Sequence, residues 1–98
     1  MIQDIAKIVC VCCEYFGISE EMVCSKSKKG DVSDLRKKIL CYLHDQLHIS
    51  YRILSKVFNR NPRTVRRAIE DTRHRLTYER LFRLEYEQFL YIAKGATN

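Results

Sequence analysis

Arg63, Arg66 and Arg67 fall within one stretch of five residues. Each guanidinium offers a planar fork of donors that matches the paired acceptors of a phosphate or a guanine edge. On a helix, with Arg63 taken as zero, Arg67 lies within about 40° and Arg66 within about 60°, so the three share a face. Val65, Ala68, Ile69, Thr72 and Leu76 fall between about 140° and 240° and make an opposing core stripe. Arg66 and Arg67 can each reach Glu70, whereas Arg63 has no acid three or four residues away. A face of this kind binds anions and base edges; it does not make or break bonds.

The other reactive side chains do not assemble into a centre. Cys10, Cys12, Cys13, Cys24 and Cys41 are odd in number, and no second Cys or His pair sits at ligand spacing beside Cys10 and Cys13. His44 and His48 are four apart, but His48 falls at a helix end, and His74 is remote. The expectation is therefore reduced cysteines used as small core hydrophobes, with no metal and no cofactor. No nucleophile–base signature appears, so the chain is not expected to be an enzyme. Gly17, Gly30 and Gly95 are too far apart for a phosphate-binding Gly-rich loop, which excludes an ATP-switched role.

Charge is concentrated around the arginines. Residues 25–75 hold 14 of the 18 Lys and Arg but 5 of the 12 Asp and Glu, so this segment is net +9 in a chain of net +6. Such an aimed patch implies a polyanionic partner. Within it lie a basic loop, Ser25–Gly30, with Lys26, Lys28 and Lys29, and a cluster, Arg36, Lys37 and Lys38, expected at the exposed start of a helix as phosphate clamps. No apolar run nears the ~20 residues of a membrane span. Residues 1–16 lack the basic start and cleavage site of a signal peptide, so a cytoplasmic, nucleoid-associated location is expected.

The elements that must position these groups read as helices. Three Gly and one Pro in 98 residues leave few breakers, and no strand pattern or repeat appears. Ile2, Ile5, Val9, Cys12 and Phe16 share a face of a helix over 2–16, widened by Ile8, Val11 and Tyr15 and stopped by Gly17. Ser19 caps a short helix from Glu20 to about Cys24. Asp31 or Ser33 is expected to cap a helix running to about Leu47, with Leu35, Ile39, Tyr42, Leu43 and Leu47 inward. Ser50 opens a helix over Tyr51–Phe58 with Ile53, Leu54, Val57 and Phe58 buried. Asn61-Pro62, a strong cap followed by a favoured first helical residue, opens the arginine helix, expected to reach about Leu76. A last helix over about 77–93 is expected to bury Tyr78, Leu81, Phe82, Phe89, Ile92 and Ala93, with Tyr86 and Tyr91 off the stripe. Together these imply one all-α, six-helix domain over 1–98, with a helix-turn-helix over about 50–76.

Lys37-Lys38-Ile39-Leu40-Cys41-Tyr42-Leu43, then Leu47, Ser50 and Phe58, then Arg60-Asn61-Pro62-Arg63-Thr64-Val65 and Ala68 resembles the C-terminal DNA-binding domain of the bacterial replication initiator DnaA. That family has a helix of the type Arg-Gln-Ile-Ala-Met-Tyr-Leu leading to a helix-turn-helix that ends in Arg-Asp-His-Thr-Thr-Val. The resemblance covers nearly the whole chain and implies a Trp-repressor-like fold and binding of double-stranded DNA in replication initiation control or transcription regulation. By position, Lys28 or Lys29 would take the place of a minor-groove Arg. Lys37 and Lys38 would take phosphate-contacting places, and Asn61, Pro62 and Arg63 the base-reading places. Arg60 and Thr64 match the motif as it stands. The substitutions at 61–63 imply a changed or relaxed preference, with Arg63 the candidate for a new base contact. Lys26, Arg36, Tyr51, Arg52, Arg66 and Arg67 complete the expected interface.

Two other readings fit the same residues. One is a protein-interaction module that binds another replication protein or a second copy of itself through the last helix, with Glu79, Tyr86, Glu87, Phe89 and Tyr91. The other is non-specific nucleic-acid binding by charge. A membrane or small-molecule partner is not expected, and a monomer is the default state.

Overall fold

Local capping signals set most of the helix limits. The computed structural model describes residues 2–96, with side chains from residue 4 onward; the side chain of Ile2 lies outside that range. The helices are α1 (Ile2–Phe16), α2 (Glu20–Cys24), α3 (Gly30–Asp45), α4 (Tyr51–Val57), α5 (Pro62–Tyr78) and α6 (Arg80–Gly95). The described residues contain no strand, so the fold is all-α.

Ser19, Ser50 and Asn61 each cap as expected. Their side-chain oxygens accept from the amides of Met22 (3.1 Å), Ile53 (3.3 Å) and Arg63 (2.8 Å), satisfying donors that a helix start leaves without intrahelical partners. Gly17, at φ +68°, closes α1. The Ile18 amide donates to Cys13 O and the Gly17 amide to Glu14 O, a paired closure that needs the left-handed region. Asn59, at φ +52°, repeats this closure after α4, with Arg60 N donating to Ser55 O at 2.8 Å. Asn tolerates that region better than other side-chain-bearing residues. This closure produces the tight turn between α4 and α5.

The start of α3 differs from expectation. The helix begins at Gly30, Lys29 occupies the cap position, and no side chain caps it. Asp31 Oδ1 instead accepts from the adjacent Val32 amide at 2.8 Å. α3 is the central element, burying Leu35, Ile39, Leu40, Cys41, Tyr42 and Leu43 and packing against α2, α5 and α6. The α5 stripe forms as expected: Val65, Ile69 and Thr72 are buried, and Ala68 and Leu76 pack partly against the core. On α4 only Leu54 and Ser55 are buried, with Phe58 at its end, while Ile53 and Val57 stay exposed.

Phe89 on α6 gathers the α1–α3–α6 side of the core. Its ring centroid lies 6.4 Å from Phe16, 6.1 Å from Tyr42 and 5.5 Å from Tyr86, spacings at which aromatic pairs add about 1 kcal/mol beyond area burial. Tyr15 stays exposed, with its hydroxyl accepting from Gln88. The last helix corrects the sequence reading in phase. α5 continues to Tyr78, α6 starts afresh at Arg80, and the buried stripe is Phe82, Tyr86, Phe89 and Ala93. Tyr78 and Leu81, expected inward, are exposed, while Tyr86, expected off the stripe, is buried. The radius of gyration, 12.2 Å, agrees with the ~13 Å of a single-core domain of about this length.

Candidate nucleic-acid interface

The arginine face stands at the open end of α5. Arg63, Arg66 and Arg67 are all exposed. Arg66 is held by Glu70 at 2.9 Å. Arg63 and Arg67 meet no acid among the described residues, so their guanidinium donors face solvent. Asn61 contributes its side chain to the helix cap and Pro62 has no side-chain donor, which leaves Thr64 and Arg63 as the polar groups presented by the first turn.

The basic loop borders this end of α5. Serines alternate with lysines along it, and the serines fix its path. Ser25 Oγ donates to Met22 O at 2.6 Å and accepts from the Ser27 amide at 3.1 Å; Ser27 Oγ accepts from the Lys29 amide at 3.3 Å. Short-range side-chain turns of this type replace a regular ladder. Lys26, Lys28 and Lys29 are left exposed and without an acid partner among the described residues. Between the loop, α3 and α5 runs a groove of about 460 Å³. Lys26, Lys28, Lys37 and Arg60 line its sides, and Leu40, Val65 and Ala68 supply its apolar surface.

Two expected clamps have other duties. Arg36 is 9% exposed. Its Nε donates to Val23 O at 2.6 Å and its Nη2 to Met22 O at 3.3 Å, so it caps the carbonyl end of α2 from α3. Burial, and then the nearby Arg60 guanidinium, pull its pKa down. Lys38 is 8% exposed. It reaches Glu85 at 3.7 Å and lies 5.3 Å from the centroid of the Phe82 ring. Arg75 also lies against that ring, 3.9 Å away, and holds Asp34 and Glu79 at 3.2 Å. Phe82 thus has two cations on it, a contact type worth roughly 0.5–2 kcal/mol each. Arg36 and Lys37 both line the groove, but the Arg36 guanidinium is taken up by the α2 carbonyls, whereas Lys37 has only a long 3.8 Å pair to Asp71.

Arg60 links the two parts of the interface. Its guanidinium donates to Ser25 O and, at 3.5 Å, to Phe58 O and Asn59 O. It therefore ties the basic loop to the α4–α5 turn. Tyr51 packs instead of projecting: its ring stacks on His44 at 4.3 Å and 17°, while His44 Nδ1–H donates to Ile49 O at 2.8 Å. Arg52 is exposed on α4. Lys56, one turn further, is also exposed and meets no acid among the described residues, and the expected interface does not include it; the i, i+4 spacing from Arg52 is the signal that marks it.

Several titratable groups away from this surface are shifted by burial. Burial pushes the Cys12 and Cys41 thiols up to about 12 and Cys13 to about 11, far from a nucleophile's range. Cys10 and Cys24 are exposed. Burial raises Asp45, but the Arg73 guanidinium and the Cys41 thiol that bond to it pull it further the other way, to a net lowered pKa. No three His, Cys, Asp or Glu side chains among the described residues converge as metal ligands would. No helix among them is long and apolar enough to cross a membrane.

The fold and this surface define a class: an all-α, six-helix domain presenting a helix-turn-helix pair, α4 and α5, beside a cationic loop. Neither a protein-family model nor a curated protein matches the sequence.

Proposed function

We propose that this protein is a non-enzymatic, sequence-preferring binder of duplex DNA, with α5 in the major groove and the 25–29 loop toward the adjacent minor groove. The observation that carries this reading is the pairing of unneutralised Arg63 and Arg67 at the start of α5 with a loop of exposed lysines, of which Lys26 and Lys28 line the groove beside that helix. Base reading belongs to the N-terminal end of a recognition helix, and phosphate contacts to flanking cations. Arg63 takes the base-reading role, because its fork is not engaged by an acid and guanine is its best-matched edge. The DnaA-like order of elements supports a role in replication initiation control or transcription regulation, at the nucleoid in the cytoplasm.

The test is fluorescence anisotropy with a DnaA-type box duplex and a scrambled duplex across a salt series. A preference of about tenfold or more for the box supports DnaA-like specificity. Equal affinities with a steep salt slope support duplex binding with altered preference, to be defined by random-site selection. No binding to either duplex at physiological salt sinks the proposal.

A further inference from the structure

The outward side of α6 carries a second apolar stripe. Leu81 is 70% exposed, Leu84 52% and Tyr91 80%, and Gln88 lies exposed between them. Their spacing of three, four and three residues is that of alternating a and d positions of a coiled-coil seam. The stripe lies on average about 160° around the helix from Phe82, Tyr86, Phe89 and Ala93, so it contributes nothing to the domain's own core. Tyr78, 74% exposed, extends the apolar surface at the α5–α6 corner; its ring lies beside His74, at 4.7 Å between centroids.

We propose that this stripe is a dimerisation seam, occupied by α6 of a second copy of this chain running parallel about a two-fold axis. Charge selects both occupant and direction. Arg80 borders the stripe at a g position and Glu85 at an e position. In a parallel pair, each Arg80 faces the partner's Glu85, giving two attractive contacts. Arg80 has no acid partner of its own among the described residues, and Glu85 keeps half of its side chain exposed beside Lys38. An antiparallel pair at full overlap sets Arg80 against Lys94, Glu87 against Glu87 and Glu85 against Glu85, all like charges. Gln88 falls at an a position, where pairing with its own copy, in exchange for its exposed bond to the Tyr15 hydroxyl, fixes register at some expense of affinity. The two tyrosines and two leucines offer on the order of 500 Å² per copy, which puts the pair at the lower limit of a specific interface and in the range of reversible association.

The proposal does not rest on the DNA reading, and its test contains no DNA. Sedimentation equilibrium of the full chain under reducing conditions, from micromolar to near-millimolar, should show a reversible monomer–dimer equilibrium. Leu81→Glu and Tyr91→Glu should each raise Kd by about 100-fold or more. Circular dichroism and the thermal midpoint of dilute protein should not change, because both side chains are solvent-facing in the monomer. Arg80→Glu should weaken association several-fold. Direction is read by oxidising Leu84→Cys in a Cys10→Ser, Cys24→Ser background: parallel packing sets position 84 against its own copy and gives a rapid disulfide-linked dimer. A wild-type chain that stays monomeric throughout, a higher oligomer, or a dimer indifferent to Leu81→Glu overturns the seam. Failure of Leu84→Cys to cross-link overturns the parallel arrangement.

Discussion

Replacing Lys26, Lys28 and Lys29 together with Gln should flatten the salt dependence of DNA binding without touching the fold. The three side chains are exposed and take part in no hydrogen bond or ion pair among the described residues, whereas the loop's path is fixed by Ser25 and Ser27, which remain. Stability should therefore move by no more than about 0.5 kcal/mol. Each phosphate contact contributes ~0.9 to the slope of log affinity against log salt. With Arg63 on a base, the acid-free cations beside it are the three lysines and Arg67. Four contacts give a slope near −3.6, and removing three leaves about −0.9. A fourfold rise in salt then weakens wild type by roughly 150-fold and the triple variant by only about fourfold.

The assay is anisotropy on the box and scrambled duplexes over that salt range. Both duplexes should lose the same slope, because phosphate contacts carry no sequence information. Arg63→Ala is the complement: it should leave the slope within about one unit and abolish the difference between duplexes. An unchanged slope in the triple variant refutes the placement of the loop on DNA. A wild-type slope steeper than about −7 refutes the count, since ion-paired cations such as Lys37 and Arg66 would have to release their acids and join.

Arg36→Met should lower stability by about 2–3 kcal/mol in urea denaturation, because it strips the buried donors from Val23 O and Met22 O, while the affinity of the folded fraction for DNA stays near wild type. Arg60→Ala should weaken DNA binding several-fold by freeing the loop from the α4–α5 turn, and should have little further effect in the triple-lysine background; additivity in that double-mutant cycle would show that Arg60 acts elsewhere. Asn61→Ala should reduce stability by about 1 kcal/mol through loss of the α5 cap, read as a lower thermal midpoint. Stability should fall above pH 9, where unfolded thiols ionise while folded Cys12 and Cys41 keep their protons to about 12 and Cys13 to about 11. The folded state then binds more protons, so stability declines with pH, by about 1 kcal/mol per pH unit per thiol, and Cys41→Ala should make the decline shallower.

The parts of the fold that sequence reasoning reached are those governed by local chemistry. Ser19, Ser50, Asn61-Pro62 and Gly17 act through backbone groups two to four residues away, so their effect is written in adjacent positions. The two faces of α5 follow from an uninterrupted helical phase. The last helix shows how that logic fails. Glu79 breaks the helix without Gly or Pro, and a stripe counted across the break from Tyr78 carries the wrong phase into α6. Arg36 and Lys38 fail for another reason. A run of three cations looks solvated because hydropathy is a property of the side chain alone, but burial was decided by partners far along the chain: carbonyls at the end of α2, and Phe82 and Glu85 on α6. Tertiary partners of that kind leave no local mark.

The basic residues thus divide by whether the domain itself neutralises them, and the division has a direction in space. Lys38, Arg66, Arg73 and Arg75 meet acids, and Arg36 and Arg60 meet carbonyl oxygens. Apart from Arg66–Glu70, which lies within α5, these contacts hold α2, α3, α5 and α6 together around one core. Among the described residues Lys26, Lys28, Lys29, Arg63 and Arg67 meet none, and they lie on the loop and on the first turns of α5, which border one groove; Arg52 and Lys56 on α4 and Arg80 on α6 are likewise without an acid. Accumulating like charge there works against folding. The hydrogen-bonded serines and Arg60 nonetheless keep that loop next to α5. A polyanion laid across both elements would relieve that repulsion and release counterions at the same time. The same groups that are unfavourable in the free domain would then supply affinity, while Arg63, aimed from the rigid end of α5, would supply discrimination.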